Sequence, residues 1–381
     1  MTRRCALPTV RRIAVCLLVL VVLVVAGCTS SQDSAGPTTS PPRTGRVQAT
    51  PTGLTLDKTP WWPTGFNAYQ LGTDWSVNRG CGAVVNLDDY FGRLPPRALT
   101  RFNLYSSFVV DKRTGLVNFG PRDAVIAAAE RHHQMLLPVL TSNEGACEDK
   151  VFKQLPWYVD GWRTTTGVGR LTYGAWLETA VTRWRGSRSI AGWELVGEPE
   201  PSMCTTSCAW QQRTCPSDAA DVLRTFFDNA GAMLRSLDPT RPIFSGLVGG
   251  DQCGTADDDY GRVLASPGID VADFHDYLSA IDASRPHGSD LPARLTQARA
   301  AGKPLVVNEI GIDAGSCLPI AARAARFRKI IADDRAAGVA GALLWAFVPD
   351  PRENECTYDI GPDDPAWRVV TDTALTGHPT P

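Results

Sequence analysis

The strongest constraint on the fold is a regular alternation of short β-rich runs with longer segments of helical periodicity. Five segments have helical spacing: 121–133, 172–184, 217–237, 292–300 and 318–336. The β-rich runs, ~30 to 55 residues apart, start near Gly65, Thr100, Met135, Ile190, Pro242, Val271, Pro304 and Gly341. Strands that alternate with helices in this way predict an α/β fold, the (β/α)8 or TIM barrel.

The composition agrees with one large catalytic domain. The chain has 381 residues, of which 43% are hydrophobic and 20% charged, so it can bury a core and is not a disordered chain. A doubly wound sheet is the alternative fold, but it usually carries a glycine-rich phosphate turn after its first strand. The corresponding segment, Gly65-Phe66-Asn67-Ala68-Tyr69, is not such a turn. The barrel is therefore favoured.

Residues 1–28 have the features of an export signal. Four arginines precede an apolar run of 14 residues, Ile13 to Ala26, which is too short to span ~30 Å of hydrocarbon comfortably. The ending Val25-Ala26-Gly27-Cys28 resembles a bacterial lipobox, in which the cysteine is acylated; an ordinary secretory signal cut nearby is the alternative. We therefore expect an exported chain, anchored through lipid on Cys28 to the outer face of the membrane or envelope.

The segment that follows the leader predicts a tether. Residues 29–57 are rich in Ser, Thr, Pro and Gly and should be unstructured, which leaves 58–381 as the catalytic domain. The formal net charge of −2 becomes more negative once the leader arginines are removed, and no run of Lys and Arg follows. Such a chain is a poor nucleic-acid binder. A monomer is expected.

The cysteines predict disulfides on one face of the barrel. An even number in an exported chain indicates up to four bridges, whereas a zinc site would need paired Cys-x-x-Cys or His spacings that are missing, so we expect no metal. Eight cysteines follow the leader and Cys28, and each of them comes after a predicted strand, at the end of the barrel where enzymes of this fold place their sites. Cys317 with Cys356 is the expected pair. The eight are Cys81, Cys147, Cys204, Cys208, Cys215, Cys253, Cys317 and Cys356.

Two glutamates end predicted strands. Glu198 follows the fourth, in the run 190–199, and Glu309 ends the seventh, in 304–311. Across a barrel mouth they would form the pair that a retaining glycosidase needs, about 5 to 5.5 Å apart. Taken singly, each is more often a solvated loop residue or half of an ion pair. Glu194 shares a strand face with Glu198 but lies deeper, so we expect it to form a structural ion pair with an arginine.

Polar and aromatic residues on other strands support the pair. His275 and Tyr277 are two apart and share one face of the sixth strand, where they would orient carboxylates and tune their pKa. Arg101, on the second strand, would keep a nucleophile ionised. Trp345 ends the eighth strand and would form a platform under a sugar. Packing in the core is the alternative for His275 and for Trp345.

This set of residues, in this order, resembles glycoside hydrolase family 5 and its clan of (β/α)8 retaining enzymes. The resemblance covers about residues 60 to 350 and implies Glu198 as acid/base and Glu309 as nucleophile, with no cofactor. It also implies Arg101 and Tyr277 near the nucleophile, and His275 near the acid/base. Trp345 would lie in the sugar-binding subsite. The matching segments are Arg101, Gly192 to Pro199, His275-Asp276-Tyr277, Asn308 to Gly311, and Trp345.

One position departs from the family pattern. The family usually has asparagine before the acid/base, where its amide bonds the sugar 2-hydroxyl, but here the residue is Gly197. Contacts to that hydroxyl supply several kcal/mol. Either Asn143 or Asn308 substitutes, or the ring is not an ordinary pyranose. We therefore expect a polysaccharide substrate, with β-D-galactofuranose-containing galactan favoured, as in an actinobacterial galactofuranan-acting branch. The alternatives are mannan or glucan, or a non-catalytic carbohydrate-binding lipoprotein.

An aromatic loop is the other candidate for sugar binding. The run 155–162 follows the third strand and, together with Trp61, Trp62 and Trp75, is predicted to line a groove; packing of the rim is an equal alternative. We find no Gly-x-Ser-x-Gly elbow, no His-Glu-x-x-His motif and no phosphate loop. The two glutamates therefore carry the functional prediction.

Overall fold

The computed structural model of the chain describes residues 46–73, 82–111, 114–167, 170–278 and 290–376. The predicted leader, its lipidation site Cys28 and residues 29–45 of the predicted tether lie outside these ranges, as do Trp75 and Cys81. The described part thus begins within the predicted tether and includes most of the predicted catalytic domain.

Eight parallel strands form the central sheet. They are β1 (Thr64–Asn67), β2 (Leu99–Asn103), β3 (Met135–Val139), β4 (Trp193–Glu194), β5 (Ile243–Phe244), β6 (Ala272–Leu278), β7 (Leu305–Ile312) and β8 (Ala342–Trp345). In sheet order they run β5, β4, β3, β2, β1, β8, β7, β6. Phe244 of β5 forms a parallel bridge with Val271, directly before β6, so the sheet closes on itself. The predicted (β/α)8 barrel is confirmed.

A helix follows each strand. These helices are α1 (Leu87–Arg93), α2 (Gly120–Arg131), α3 (Tyr173–Trp184), α4 (Ala219–Leu237), α5 (Asp259–Leu264), α6 (Leu291–Ala300), α7 (Ile320–Ala337) and α8 (Ala366–Thr376). The five predicted helices are confirmed, and their ends lie within two residues of the predicted ones. Helices α1, α5 and α8 were not predicted. Of these, α1 and α5 span only 7 and 6 residues, which is too short to show a helical period.

The interior of the barrel has an apolar base below a polar layer. The base contains Leu99, Leu137 and Leu343, which are fully buried. Two residues further along β2 is Arg101, which shares the inward face with Leu99 because side chains alternate along a strand. Charged groups thus lie inside the barrel, between the apolar base and the open mouth.

A three-stranded antiparallel sheet closes the base of the barrel. Its strands are Val47–Thr50, Gly53–Leu56 and Thr59–Trp61. Val47, Leu54 and Leu56 are buried with the base residues of the barrel. The prediction that residues 46–57 belong to the tether is therefore wrong, because three apolar side chains in this polar segment suffice to seal the base.

Trp61, which ends the third strand of this sheet, and Trp62, which follows it, also lie at the base. Trp61 is buried among the base residues, and the Trp62 indole N–H donates to the carbonyl of Val339 at 2.8 Å. Both precede β1 and are on the opposite end of the strands from the mouth. The prediction that they line a sugar groove is wrong, because the chain enters the barrel from below at this point.

Disulfides tie together the loops at the mouth. The described pairs are Cys204–Cys208, Cys215–Cys253 and Cys317–Cys356, and Cys147 is also disulfide-bonded. The predicted bridge between Cys317 and Cys356 is confirmed. Within the described ranges, no helix is long and apolar enough to cross a membrane.

Replacing Leu56 with alanine tests whether the N-terminal sheet is part of the domain. Leu56 is fully buried against the base, so the cavity should lower the free energy of unfolding by about 2–5 kcal/mol. The control is Thr52→Ala, at an exposed turn of the same sheet, which should change it little. Chemical denaturation followed by tryptophan fluorescence measures both, and equal stabilities would mean that the segment is not docked.

Candidate active site

Arg101 is the centre of the polar layer. Its Nε and Nη2 donate to the two carboxylate oxygens of Glu194 at 2.7 and 2.6 Å, a bidentate pair. Its Nη1 donates to Asn67 Oδ1 at 2.9 Å and to Glu309 Oε1. Glu194 is fully buried, and the ion pair predicted for it is confirmed. One arginine therefore neutralises a structural carboxylate and also holds the carboxylate predicted to be the nucleophile.

Glu309 is buried on β7, with its side chain 4% exposed. Its Oε1 accepts from Arg101 and its Oε2 accepts from the Tyr277 hydroxyl. Burial raises the pKa of Glu309, against the opposing effects of His275, Arg101 and the Tyr277 hydroxyl, which lower it. Burial also holds the pKa of Tyr277 well above its usual value, so this hydroxyl stays a donor near neutral pH. Both oxygens of Glu309 are thus held in fixed positions.

A glycine allows Tyr277 to reach Glu309. In the pairing of β6 with β7, Tyr277 lies opposite Gly311. A Cβ at Gly311 would come 2.5 Å from the Tyr277 ring, closer than any real contact. The tyrosine ring therefore lies directly over the glycine backbone. The motif Glu-Ile-Gly on β7 supplies both the carboxylate and the space for its hydrogen-bond donor.

Glu198 lies just beyond β4 in an uncommon backbone conformation. Its φ is 56°, in the left-handed region that non-glycine residues seldom adopt. Its N–H donates to the carbonyl of Gly246 at 3.0 Å, and the N–H of Gly197 donates to that of Thr141 at 2.8 Å. Extensions of both neighbouring strands therefore hold this turn. They direct a side chain that is 40% exposed into the mouth.

His275 connects the two glutamates. Its Nδ1 lies 2.8 Å from Glu198 Oε1 and 3.5 Å from Glu309 Oε2. Burial lowers the pKa of His275, but the charges of both glutamates outweigh it and raise the pKa above its usual value. Burial raises the pKa of Glu198, yet the hydrogen bond and charge of His275 outweigh it, and the pKa is lowered. Both shifts favour an ion pair between the His275 imidazolium and the Glu198 carboxylate.

The two carboxylates lie close enough to act on one bond. A carboxylate oxygen of each, together with a nitrogen of His275, lies within 4.8 Å of the other two atoms. This proximity of single oxygens fits a retaining glycosidase, whose carboxyl groups lie ~5 to 5.5 Å apart, better than an inverting one, where they lie ~6.5 to 9.5 Å apart. The same three atoms are close enough to bind a cation. Because hydrogen bonds within the site already hold them, we assign no metal ligand.

Trp345 lies beside this pair, at the end of β8. Its partly exposed ring stacks on Tyr69, with 5.6 Å between centroids, and meets the Tyr277 ring edge-on at 6.3 Å. The position at the mouth is as predicted. Contact with a sugar stays a prediction.

Asn143 lies next to the residue that departs from the family pattern. Its backbone N–H donates to the carbonyl of Gly197 at 3.0 Å, and its Oδ1 accepts from the Tyr158 hydroxyl at 2.5 Å. Its Nδ2 is buried, with no hydrogen-bond partner among the described residues. A donor without a partner thus lies near Glu198, and its use by a substrate stays a prediction.

Asn308 does not face a substrate. It is fully buried, and its Nδ2 donates to Asp273 Oδ1 at 2.8 Å and to Glu194 Oε2 at 3.3 Å. The prediction that it contacts a sugar is wrong, because its side chain points into the polar layer beneath the mouth. Asp273 has a pKa raised to about 7 by burial and by the charge of Glu194.

The aromatic loop after β3 packs against the domain. Tyr158 and Trp162 are buried, and their rings lie 5.2 and 5.7 Å from that of Phe226. Trp157 is only partly buried and, with Phe152, lines a cavity of about 480 Å³. Packing, the alternative in the sequence analysis, thus accounts for most of the loop.

Three residues of the site were not predicted from the sequence. Asn67 ends β1 and Asp273 lies in β6, each a polar residue in an apolar strand, which is the signal that identified Arg101. Tyr69 lies in a loop and carried no such signal. Asn67 and Asp273 belong to the polar layer, and the argument that identified Arg101 could have identified them too.

Comparisons with known proteins agree with this architecture. No protein-family model matches the chain. It is 27% identical over 226 residues to a probable mannan endo-1,4-beta-mannosidase F of Aspergillus flavus, which covers 54% of this chain and 46% of that protein. The chain thus spans about half the length of the curated relatives it matches.

Two solved structures from Rhizomucor miehei resemble the fold. An endo-1,4-beta-mannanase has a TM-score of 0.63 at 19% identity, covering 87% of this chain and 99% of that one. A glycoside hydrolase family 5 mannosidase has a TM-score of 0.59 at 13% identity, covering 87% and 96%. At this identity the likeness shows the barrel fold.

Replacing Arg101 with methionine tests the dependence of the polar layer on one cation. It would leave Glu194 and Glu309 buried without their partner, so we expect the free energy of unfolding to fall by about 3–5 kcal/mol. The control is Arg183→Met, which breaks a pair with Asp123 whose side chains are both 40% exposed. That loss should be about 1 kcal/mol or less. Denaturant titration measures both, and equal losses would contradict the assignment.

Proposed function

We propose that this protein is a retaining O-glycoside hydrolase of the family 5 type that cleaves β-linked polysaccharide, with β-1,4-mannan as the foremost substrate. The observation that carries the proposal is the pair Glu198 and Glu309, with carboxylate oxygens within 4.8 Å and opposite surroundings. One is half-exposed and hydrogen-bonded to His275. The other is buried and held by Arg101 and Tyr277.

The proposed reaction is a double displacement. Glu309 attacks the anomeric carbon while Glu198 protonates the leaving oxygen, which gives a glycosyl-enzyme intermediate. Glu198 then removes a proton from the water that releases the sugar. Arg101 and Tyr277 fix the two oxygens of Glu309, so the attacking carboxylate needs little reorganisation.

The substrate proposal follows the similar proteins. Those whose names state a substrate are mannan-degrading, which favours the mannan alternative over the galactofuranan expected from Gly197. A Cβ at Gly197 would lie 3.2 Å from Val139 Cγ1 and 3.4 Å from Arg101 Nη2. A side chain there would crowd the ion pair of the polar layer. Glycine at this position therefore has a packing reason and does not by itself call for a furanose ring.

The proposed location is outside the cell membrane. Disulfides at the mouth are typical of exported chains. The lipid anchor at Cys28, the tether after it and the monomeric state stay proposals.

Separate glutamine variants test the roles of the two glutamates. Glu198→Gln should lower kcat/KM on mannan by about 10²–10⁴-fold, but much less on an aryl glycoside whose leaving group needs no proton. Glu309→Gln should abolish turnover of both substrates, and a 2-fluoro glycosyl probe should label Glu309. Initial rates and mass spectrometry of labelled peptides are the measurements.

The control for these variants is Glu130→Gln, at an exposed carboxylate of α2. It should retain normal rates. Wild-type protein is assayed on mannan, β-glucan and galactofuranan in parallel. Full turnover by Glu309→Gln, or a covalent label elsewhere, would refute the nucleophile assignment, and cleavage of galactofuranan alone would refute the mannan proposal.

The pH profile should depend on His275. Activity requires an ionised Glu309 and one proton on the pair formed by Glu198 and His275. Because the pKa of Glu309 is raised, the acidic limb should lie above about 4.3, and because that of His275 is raised, the basic limb should lie above about 6.5.

Replacing His275 with asparagine should narrow this profile from both sides. Without the imidazolium charge the pKa of Glu309 rises further, and Glu198 alone holds the proton less tightly than the histidine did. The acidic limb therefore moves up and the basic limb moves down. The measurement is kcat/KM against pH, and limbs that stay in place would contradict the influence of His275 on the two glutamates.

A further inference from the structure

A small hairpin beside the acid/base carries an exposed tryptophan. Within the loop after β4, Met203–Cys204 pairs antiparallel with Arg213–Thr214. Cys204–Cys208 links the first strand of the hairpin to its connecting loop, and Cys215–Cys253 ties the end of the hairpin to the loop after β5. Trp210, near the tip, is 55% exposed. A large aromatic ring held on a doubly cross-linked loop without being buried is unusual for a residue that serves only packing.

Arg213 fastens this hairpin to the catalytic turn. Its Nη1 donates to Glu200 Oε2 at 2.8 Å, and Glu200 is buried two residues after Glu198. Its Nη2 donates to Glu144 Oε1 at 2.7 Å, and its Nε donates to the carbonyl of Cys208 at 2.8 Å. The position of the hairpin relative to the acid/base is therefore set by charge-assisted hydrogen bonds.

The same guanidinium lies between two aromatic rings. It is 5.7 Å from the centroid of Trp210 and 4.5 Å from that of Phe152. This arrangement holds the indole next to Arg213 and leaves more than half of its surface to solvent. An exposed, flat apolar face is suited to a sugar ring, whose C–H face can stack on it.

The location assigns this surface to one side of the cleaved bond. Trp345 and Tyr69 stack near Tyr277, which holds the nucleophile. The hairpin instead follows Glu198, the group that protonates the leaving oxygen. We propose that Trp210, held in place by Arg213, forms a binding platform for sugar units on the leaving-group side of the cleaved bond. This inference rests on the proposed function and adds a polymer-binding subsite to it.

Replacing Trp210 with alanine tests the platform. We compare kcat/KM for a β-1,4-linked mannohexaose with that for an aryl β-mannobioside, which places only an aryl group on the leaving side. The ratio of the two should fall about five- to tenfold, mainly through KM for the hexaose, as expected for one lost stacking contact. Trp210→Phe should restore most of the ratio.

The matched control is Val159→Ala, at a side chain that is also 55% exposed but lies in the loop after β3. Its ratio should equal that of the wild type. Unchanged kcat/KM on both substrates in Trp210→Ala would overturn the platform while leaving the proposed function in place. An equal loss on both substrates would also overturn it, because the hairpin would then shape the catalytic centre instead.

Binding without turnover separates the two proposals. If wild-type protein cleaves no β-linked substrate, the proposed function fails, and electrophoresis in gels that contain mannan or galactan then tests the platform alone. Retardation of the wild type that is lost in Trp210→Ala supports the platform. Equal mobility of the two proteins overturns it and leaves Trp210 as a contact for some other partner.

Discussion

The structure depends on one buried cation shared between two carboxylates. Arg101 binds Glu194 through two nitrogens and Glu309 through a third, all inside a barrel that is apolar below this level. A buried carboxylate without such a partner costs several kcal/mol, so neither glutamate is tolerable there alone. The bidentate pair with Glu194 fixes the guanidinium plane, and that plane fixes where Glu309 can lie. A group with no part in the proposed bond cleavage thus determines the position of the proposed nucleophile.

The backbone near the site determines where the side chains of the site can lie. Gly311 lets the Tyr277 ring approach the strand that carries Glu309, and Gly197 keeps the space next to Arg101 open. Glu198 occupies the left-handed region of φ and is held there by Gly246 and by the strand extension at Thr141. Held conformations of this kind occur where a side chain has to be directed at a ligand. As a result, the half-exposed Glu198 and the buried Glu309 have carboxylate oxygens within 4.8 Å of each other. Their different surroundings suit the two carboxylates to different roles.

Disulfides and ion pairs also hold the loops at the mouth in place. Two bridges and Arg213 hold the hairpin that presents Trp210. At the opposite end, the N-terminal sheet seals the base with Val47, Leu54 and Leu56. The apolar base excludes water from below. The charges in the polar layer above it therefore interact at a low effective dielectric constant, and their hydrogen bonds are correspondingly strong.

The sequence by itself determined the architecture and the identity of the two central glutamates. The barrel follows from a regular alternation of strands and helices. Polar residues within or just beyond apolar strands stand out against their neighbours, as Arg101, Glu198 and Glu309 do. Such signals are local, since they depend on spacing along the chain. Whether Asn308 faces a sugar or the polar layer, whether Trp61 lies at the mouth or the base, and whether residues 46–57 are tether or sheet depend on contacts between distant segments. Only the tertiary structure decided these, because burial is a property of what packs against a residue and not of the residue itself.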